Sequence, residues 1–509
     1  MATGDMKVKE LDDLALIVAK LKSQGKIIVQ CHGVFDLVHP GHIRHFEAAK
    51  KEGDVLVVTL TADRYVRKGP GRPLFSEDLR AEAIAALAVV DYVSIVSAPT
   101  AVESLKKLKS NVYVKGQDYR KAKDDVTGKI IDEERAVRAN GGRLVFTNDI
   151  VFSSSQLIND HLDVYPLKTR RYLKSLKKKY SYNDIVEALD AAKKLKVLVV
   201  GDAIIDQYDY CAQMGKSGKE PLIVNRYLKD ESFAGGALAT ANHVSSVCRQ
   251  VALATLLGRK DSWRHFIIKQ LAGGVKPKFF YRSGAGTTVK RRYVSDSRNL
   301  KLFEIYYMQD SQVDKDVEGG IIEYLRNSVG DYDVVVVNDF GHGFITDKII
   351  RTICRQAKKL ALNVQTNGAN AGFNLVTKYP RADFVCVDEV ELRYATHDKE
   401  SDLRKVARQV QQEMGCDLIV TTRGGDGSLA LSRQDGFMET PAFAPHVVDA
   451  VGAGDAFFAF AAPVYAADVP TELVPFVGNV AGSLATQIIG NRDVVQLADM
   501  LKFIARLLK

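Results

Sequence analysis

Lys26-Ile-Ile-Val-Gln-Cys31, then Gly33-Val-Phe-Asp-Leu-Val-His-Pro-Gly-His42, then Ile43 to Lys50 form an apolar run, a glycine- and proline-bearing turn and a helical pattern. That order opens a nucleotide-binding α/β unit. Asp54 to Leu60, Tyr92 to Val96 and Val112 to Lys115 read as further short strands at helix-length intervals. The spacing predicts a parallel sheet with right-handed crossovers.

The same grammar restarts at Lys196-Val-Leu-Val-Val200, after a helix capped by Ser181 with Asp184 three residues on. Later strands read as Val334 to Asn338, Phe384 to Val387 and Leu418 to Thr421. The expected organisation is therefore residues 1–165 as one α/β domain, 166–190 as a basic helical linker and 191–509 as a second α/β domain. A length of 509 residues suits this division, at roughly 100–200 residues per domain.

Apolar residues make up 46% of the chain and charged residues 26%, the balance of a globular protein. Six scattered cysteines form no C-x-x-C pair, which argues against a zinc site or a disulfide framework. No run approaches the roughly 18 apolar residues of a membrane span, and the first ten residues have no apolar signal core. A cytoplasmic protein with no membrane partner is expected. The formal charge of +9 is concentrated in Lys168 to Lys179, and a run of this kind reads as a solvated helix face rather than a nucleic-acid site.

The first turn has the makings of a phosphate site. A helix N-terminus offers unpaired N–H groups and a positive dipole end, and Pro40-Gly41 shapes the turn into it. His39 and His42, three apart, can converge on one anion and stabilise charge as pyrophosphate leaves an α-phosphate. The second constellation is Val447-Val-Asp-Ala-Val-Gly-Ala-Gly-Asp-Ala-Phe457. Gly452 and Gly454 let phosphate approach the backbone, and Asp455 is placed to accept the proton of a hydroxyl attacking the γ-phosphate of ATP.

With Gly33-x-Phe35-Asp36 upstream, the first constellation resembles the cytidylyltransferase-like nucleotidyltransferases, over about residues 26–160. Arg67-Lys-Gly-Pro-Gly-Arg-Pro73, Asp78-Leu-Arg-Ala-Glu82 and Val114-Lys-Gly-Gln-Asp-Tyr119 are similar to the adenylyltransferase part of bacterial ADP-heptose synthases. The resemblance implies a Rossmann-like domain in which Lys68 holds triphosphate oxygens and Lys115, Gly116 and Asp118 line the nucleotide end. It also implies phosphate contacts from Ser153, Ser154 and Ser155, and nucleotide contacts from Gly33, Phe35, Asp36 and Gly41. An arginine frequent in that family before the serine motif is absent, the stretch here being Asn148-Asp-Ile-Val151.

The second constellation, with Phe233-Ala-Gly-Gly-Ala237 and Thr422-Arg-Gly-Gly-Asp-Gly427, resembles the ribokinase family of carbohydrate kinases over about residues 195–505. Gly201-Asp202, Lys219-Glu-Pro221, Thr287-Thr-Val-Lys290, Asn338-Asp-Phe-Gly341 and Asp388-Glu-Val-Glu391 follow in the order of its heptose-phosphate branch. The resemblance implies an α/β sandwich with Asp455 as general base and Gly452, Ala453 and Gly454 as anion hole. Thr422, Gly424 and Gly427 would bind nucleotide, and Asp206, Gly235, Gly236 and Lys290 the sugar. Glu391 would act through water on Mg²⁺. Val451, Ala239 and Asp388 depart from the usual Thr, Asn and Asn, and Asn363-Val-Gln-Thr-Asn-Gly368 lacks the D-P-K-G-like wording of heptose kinases.

Both halves thus resemble parts of one bifunctional enzyme, with the transferase first rather than second. The expectation is ATP-dependent phosphorylation of a sugar or sugar phosphate, followed by nucleotidyl transfer from ATP or CTP to a sugar 1-phosphate. A homodimer or higher homo-oligomer is implied by the kinase resemblance. The alternative is a single-activity transferase whose kinase-like half senses sugar or dimerises.

Overall fold

The computed structural model describes residues 6–66, 68–116, 130–147, 164–296 and 300–509. These residues form two compact units, Met1–Pro166 together with Ala498–Lys509, and Leu167–Leu497.

In the first unit, β1 (Ile28–Gly33), β2 (Val55–Thr61), β3 (Tyr92–Val96), β4 (Val112–Gly116) and β5 (Arg143–Thr147) form a sheet of order β3-β2-β1-β4-β5. Every neighbouring pair is parallel. All seven residues of β2 are buried, as a strand covered on both faces requires. The order reverses between β1 and β4, and the crevice beyond the carboxyl ends of such strands is where an open α/β sheet takes its ligand. The helix after β1 spans Pro40–Lys50, so it starts three residues before the Ile43 read from the sequence. Proline at the first helical position loses nothing, because its missing N–H would have had no helical partner.

The second unit is organised by one long strand, β6 (Lys196–Lys216). Its first part, Lys196–Asp202, lies in a central sheet between β8 (Gln250–Gly258) and β12 (Val334–Asp339). Beyond Ala203 the same strand pairs with β7 (Ile223–Gly236) and β10 (Thr288–Ser295), and β11 (Leu300–Tyr307) extends that second sheet. The central sheet continues from β12 through β13 (Leu360–Val364), β14 (Phe384–Asp388) and β15 (Leu418–Thr422), all parallel. It closes on the antiparallel pair β16 (Ser428–Ser432) and β17 (Gly436–Thr440), while β9 (Val275–Arg282) pairs with β8 at the opposite edge.

Two boundaries differ from the sequence reading. Residues 166–190 were expected as a linker, but helices Leu167–Lys179 and Tyr182–Ala192 group with the second unit. Leu173 and Leu176 are buried, while Lys168 and Lys179 pair with Glu439 and Glu472, each at 2.9 Å. The basic run is therefore the solvated face of a packed helix, and Ser181 and Asp184 form the expected capping box. The second difference lies at the other end: residues 498–509, read as part of the second domain, group with the first unit.

Candidate active sites

In the first unit, the chain leaves β1 through Phe35, which adopts a left-handed φ of 47° and lays its ring over Gly33. A Cβ at Gly33 would stand 3.0 Å from that ring. Extended backbone at His39 caps the helix, and the His39 and His42 rings stack with centroids 3.9 Å apart. Phe35 meets His42 edge-on at 5.2 Å. Burial, joined by the charges of His39, His45 and Lys68, pushes His42 down to about 3, against a hydrogen bond to the Leu37 backbone. Burial lowers His39 too. Both imidazoles are thus held neutral at pH 7, able to donate to an anion without carrying charge into the turn.

Lys68 lies close enough to His42 to bear on its titration. Burial, with Arg72, Lys509 and Arg506, brings Lys68 itself down to about 8, while Asp36 opposes. Asp36 is 2% exposed and holds the loop beyond Lys68, accepting from Arg72 Nη1 and the Leu74 N–H, each at 2.6 Å. Lys115 is paired with Glu133 at 3.1 Å, and both side chains are at most 10% exposed. Burial works against the Glu133 charge, but Lys115, His32 and the Ala101 N–H hold Glu133 below its usual value. Gly116 ends β4 with open space on its Cβ side. Asp118, Ser153, Ser154 and Ser155 lie outside the described residues.

In the second unit, Asp455 occupies the first turn of helix Ala453–Ala466, behind Gly452 in the left-handed region at φ 82°. Its Oδ1 accepts from Gln365 Nε2 at 3.0 Å and lies 3.4 Å from Asn338 Nδ2. Burial and the nearby Asp206 charge raise Asp455 to about 7, with Gln365 and Lys290 opposing. A carboxylate poised there can take a proton near neutral pH. Asp206 is held by Arg292 at 2.5 Å and by Asn491 Nδ2 at 3.2 Å. Gly235 permits this: a Cβ on it would stand 2.1 Å from Asp206 Oδ2. Gly236 begins the next helix at φ 58°. Burial lowers Lys290, whose ammonium lies over the Tyr306 and Phe340 rings. The structure therefore gathers Asp455, Asp206, Lys290 and the two glycine turns at one site.

A profile of the pfkB family carbohydrate kinases matches residues 194–496. The chain belongs to this family. A cytidylyltransferase-like profile matches residues 31–160, so the transferase region precedes the kinase. The bifunctional protein HldE of Geobacter metallireducens is 44% identical over 143 residues, 28% of this chain and 28% of that protein. HldE of Shewanella piezotolerans is 27% identical over 317 residues, 61% of this chain and 64% of that one. The chain thus matches less than two thirds of the length of these relatives. Phosphofructokinase-2 of Escherichia coli superposes with a TM-score of 0.52 at 16% identity, covering 62% of this chain and all of that one, which shows a shared fold.

Other residues of the pfkB unit take clear places. Thr422 ends β15, and Gly427 closes the following turn by accepting the Arg423 N–H at 2.8 Å. A Cβ at Gly427 would strike the Thr440 carbonyl, whereas Gly424 faces open space. Glu391 sits in a capping box with Asp388 and also accepts the Thr366 N–H at 3.0 Å. Burial and Asp388 raise Glu391, with the backbone donors opposing. Among the described residues no group of three or more His, Cys, Asp or Glu could enclose a metal. Ala239 is buried in the helix after Gly236, where the family commonly has an asparagine.

Sequence reasoning missed the amides of Gln365 and Asn338, and the Arg292 and Asn491 support of Asp206. It also missed the function of Arg80, which is 1% exposed and donates to the carbonyls of Phe75, Val34 and Thr61 and to Asp63. Arg80 lies inside the Asp78 to Glu82 motif, but a motif match does not distinguish a structural arginine from a binding one. Among the described residues no helix is long and apolar enough to cross a membrane.

Proposed function

We propose that the chain is a bifunctional enzyme that phosphorylates a sugar or sugar phosphate of heptose type with ATP and transfers a nucleotidyl group from ATP or CTP to the sugar 1-phosphate. The observation that carries the reading is Asp455, held by amides at a helix N-terminus beside the Asp206 carboxylate. In the kinase step a substrate hydroxyl oxygen attacks the γ-phosphorus of ATP, Asp455 takes the hydroxyl proton, and ADP leaves. The N–H groups at the start of helix Ala453–Ala466 receive the transferred phosphoryl oxygens. Mg²⁺ supplies charge neutralisation on the nucleotide when bound, and Glu391 would reach its water shell.

In the transferase step a sugar phosphate oxygen attacks the α-phosphorus of the nucleoside triphosphate and pyrophosphate leaves, so no protein base is needed. His39 and His42 donate hydrogen bonds to the charge that builds there. A small-molecule sugar phosphate and nucleotides are therefore the partners of the protein, and a homodimer agrees with the kinase family.

The test is a crossed pair of variants of the full chain. D455N should abolish ADP release while leaving pyrophosphate release from supplied sugar 1-phosphate and nucleoside triphosphate. H42A should lower pyrophosphate release by about 100- to 1,000-fold and leave phosphorylation intact. If folded H42A loses both activities, the two-site reading fails. The single-activity alternative survives only if no sugar stimulates ATP consumption.

A further inference from the structure

Phe503 and Arg506 are among the buried residues of the last helix, Leu497–Leu507, and the chemistry above does not use them. Phe503 is fully buried, and its ring lies against Gly69, where an added Cβ would stand 2.4 Å from Phe503 Cδ2. Gly69 also adopts φ +87°, which disfavours any side chain. Arg506 is 4% exposed and donates from Nη1 to the Pro70 carbonyl at 3.2 Å and from Nη2 to the Tyr165 hydroxyl. These contacts fix the loop that carries Lys68 and Arg72.

Arg72 gives Nη1 to Asp36, but its Nε and Nη2 are buried and have no partner among the described residues, in a side chain only 2% exposed. The groups bearing on Lys68 are one carboxylate, Asp36, and three cations, Arg72, Lys509 and Arg506. His42 lies in the same neighbourhood. Buried donors without acceptors and like charges brought together are both unfavourable until an anion of high charge arrives.

We infer that residues 498–509 complete a polyphosphate site in the first unit, with Phe503 and Arg506 as positioning residues that aim Lys68 and Arg72 at the phosphates. The inference rests on the nucleotidyltransferase reading, whose triphosphate or departing pyrophosphate would be the ligand.

The experiment labels lysines of the full chain competitively with acetic anhydride across pH, with and without inorganic tripolyphosphate, and reads Lys68 by mass spectrometry. Lys68 should be protected by tripolyphosphate in the wild-type chain. In R506Q the concentration needed for protection should rise at least about tenfold, and the labelling midpoint should move to higher pH because a like charge has gone. R506K should recover part of the protection, and phosphorylation by the second unit should be unchanged in both variants. Equal protection and equal midpoints in wild type and R506Q would overturn the inference, as would a wild-type Lys68 that tripolyphosphate does not protect. If protection depends on Arg506 but no nucleoside triphosphate yields pyrophosphate with any sugar 1-phosphate, the polyphosphate site stands and the nucleotidyltransferase reading falls.

Discussion

Gln365 donates a hydrogen bond to Asp455 across 3.0 Å, joining residues 90 positions apart in the chain. The bond favours the charged carboxylate, against the burial that raises Asp455 to about 7. Phosphorylation needs the deprotonated form, so kcat/KM should rise with pH through about 7. Replacing Gln365 by Leu removes the donor, and the rising limb should move to higher pH. A limb that stays in place in Q365L would show that Asp455 is not the titrating base.

Nucleotidyl transfer should have the opposite slope on its alkaline side. Lys68 is charged below its value of about 8, so pyrophosphate release at low nucleotide should fall as pH rises through that range. Arginine keeps its proton throughout, and K68R should lose this falling limb even if its overall rate is lower. The check is initial rate against pH from 6 to 10 for both proteins.

Gly235→Ala would place a Cβ 2.1 Å from Asp206 Oδ2 and drive that carboxylate from Arg292 and Asn491. Steady-state kinetics should show the sugar KM rising by about tenfold or more, worth roughly 1.4 kcal/mol, while the KM for ATP changes little.

Arg80→Met leaves three carbonyls without their donor at the heart of the first unit. Asp63 is 38% exposed and stays solvated, so the charge pair itself adds little. The expected loss is about 2–4 kcal/mol. The chain has one tryptophan, Trp263, in the second unit. Far-UV dichroism should therefore gain an earlier unfolding phase while tryptophan fluorescence unfolds as before.

The phosphate turns were legible because their chemistry is local: a strand, two small residues and a helix start are contiguous in the chain. The continuation of β6 beyond Val200 and its partner β7 were not, since half of β7 faces solvent and its polar residues blur any apolar run. Gln365 lies in a segment that stood out only for lacking the wording of heptose kinases, yet that segment supplies the amide on the Asp455 carboxylate. Asp36 and Lys115 were read as nucleotide contacts from their motifs, and the folded chain surrounds them with Arg72 and Glu133. The allegiance of residues 498–509 was invisible for a different reason, because their partners at Gly69, Pro70 and Tyr165 are separated from them by the whole second unit.

A ribosome making this chain delivers the residues of the first unit in two instalments. Met1–Pro166 emerge, then all of Leu167–Leu497, and only afterwards Ala498–Lys509. At about 5–20 residues per second the wait between the instalments is roughly 20–70 s. Throughout that interval the second unit is still being made and the first lacks residues 498–509, so the first unit to begin is the last to be able to close its fold.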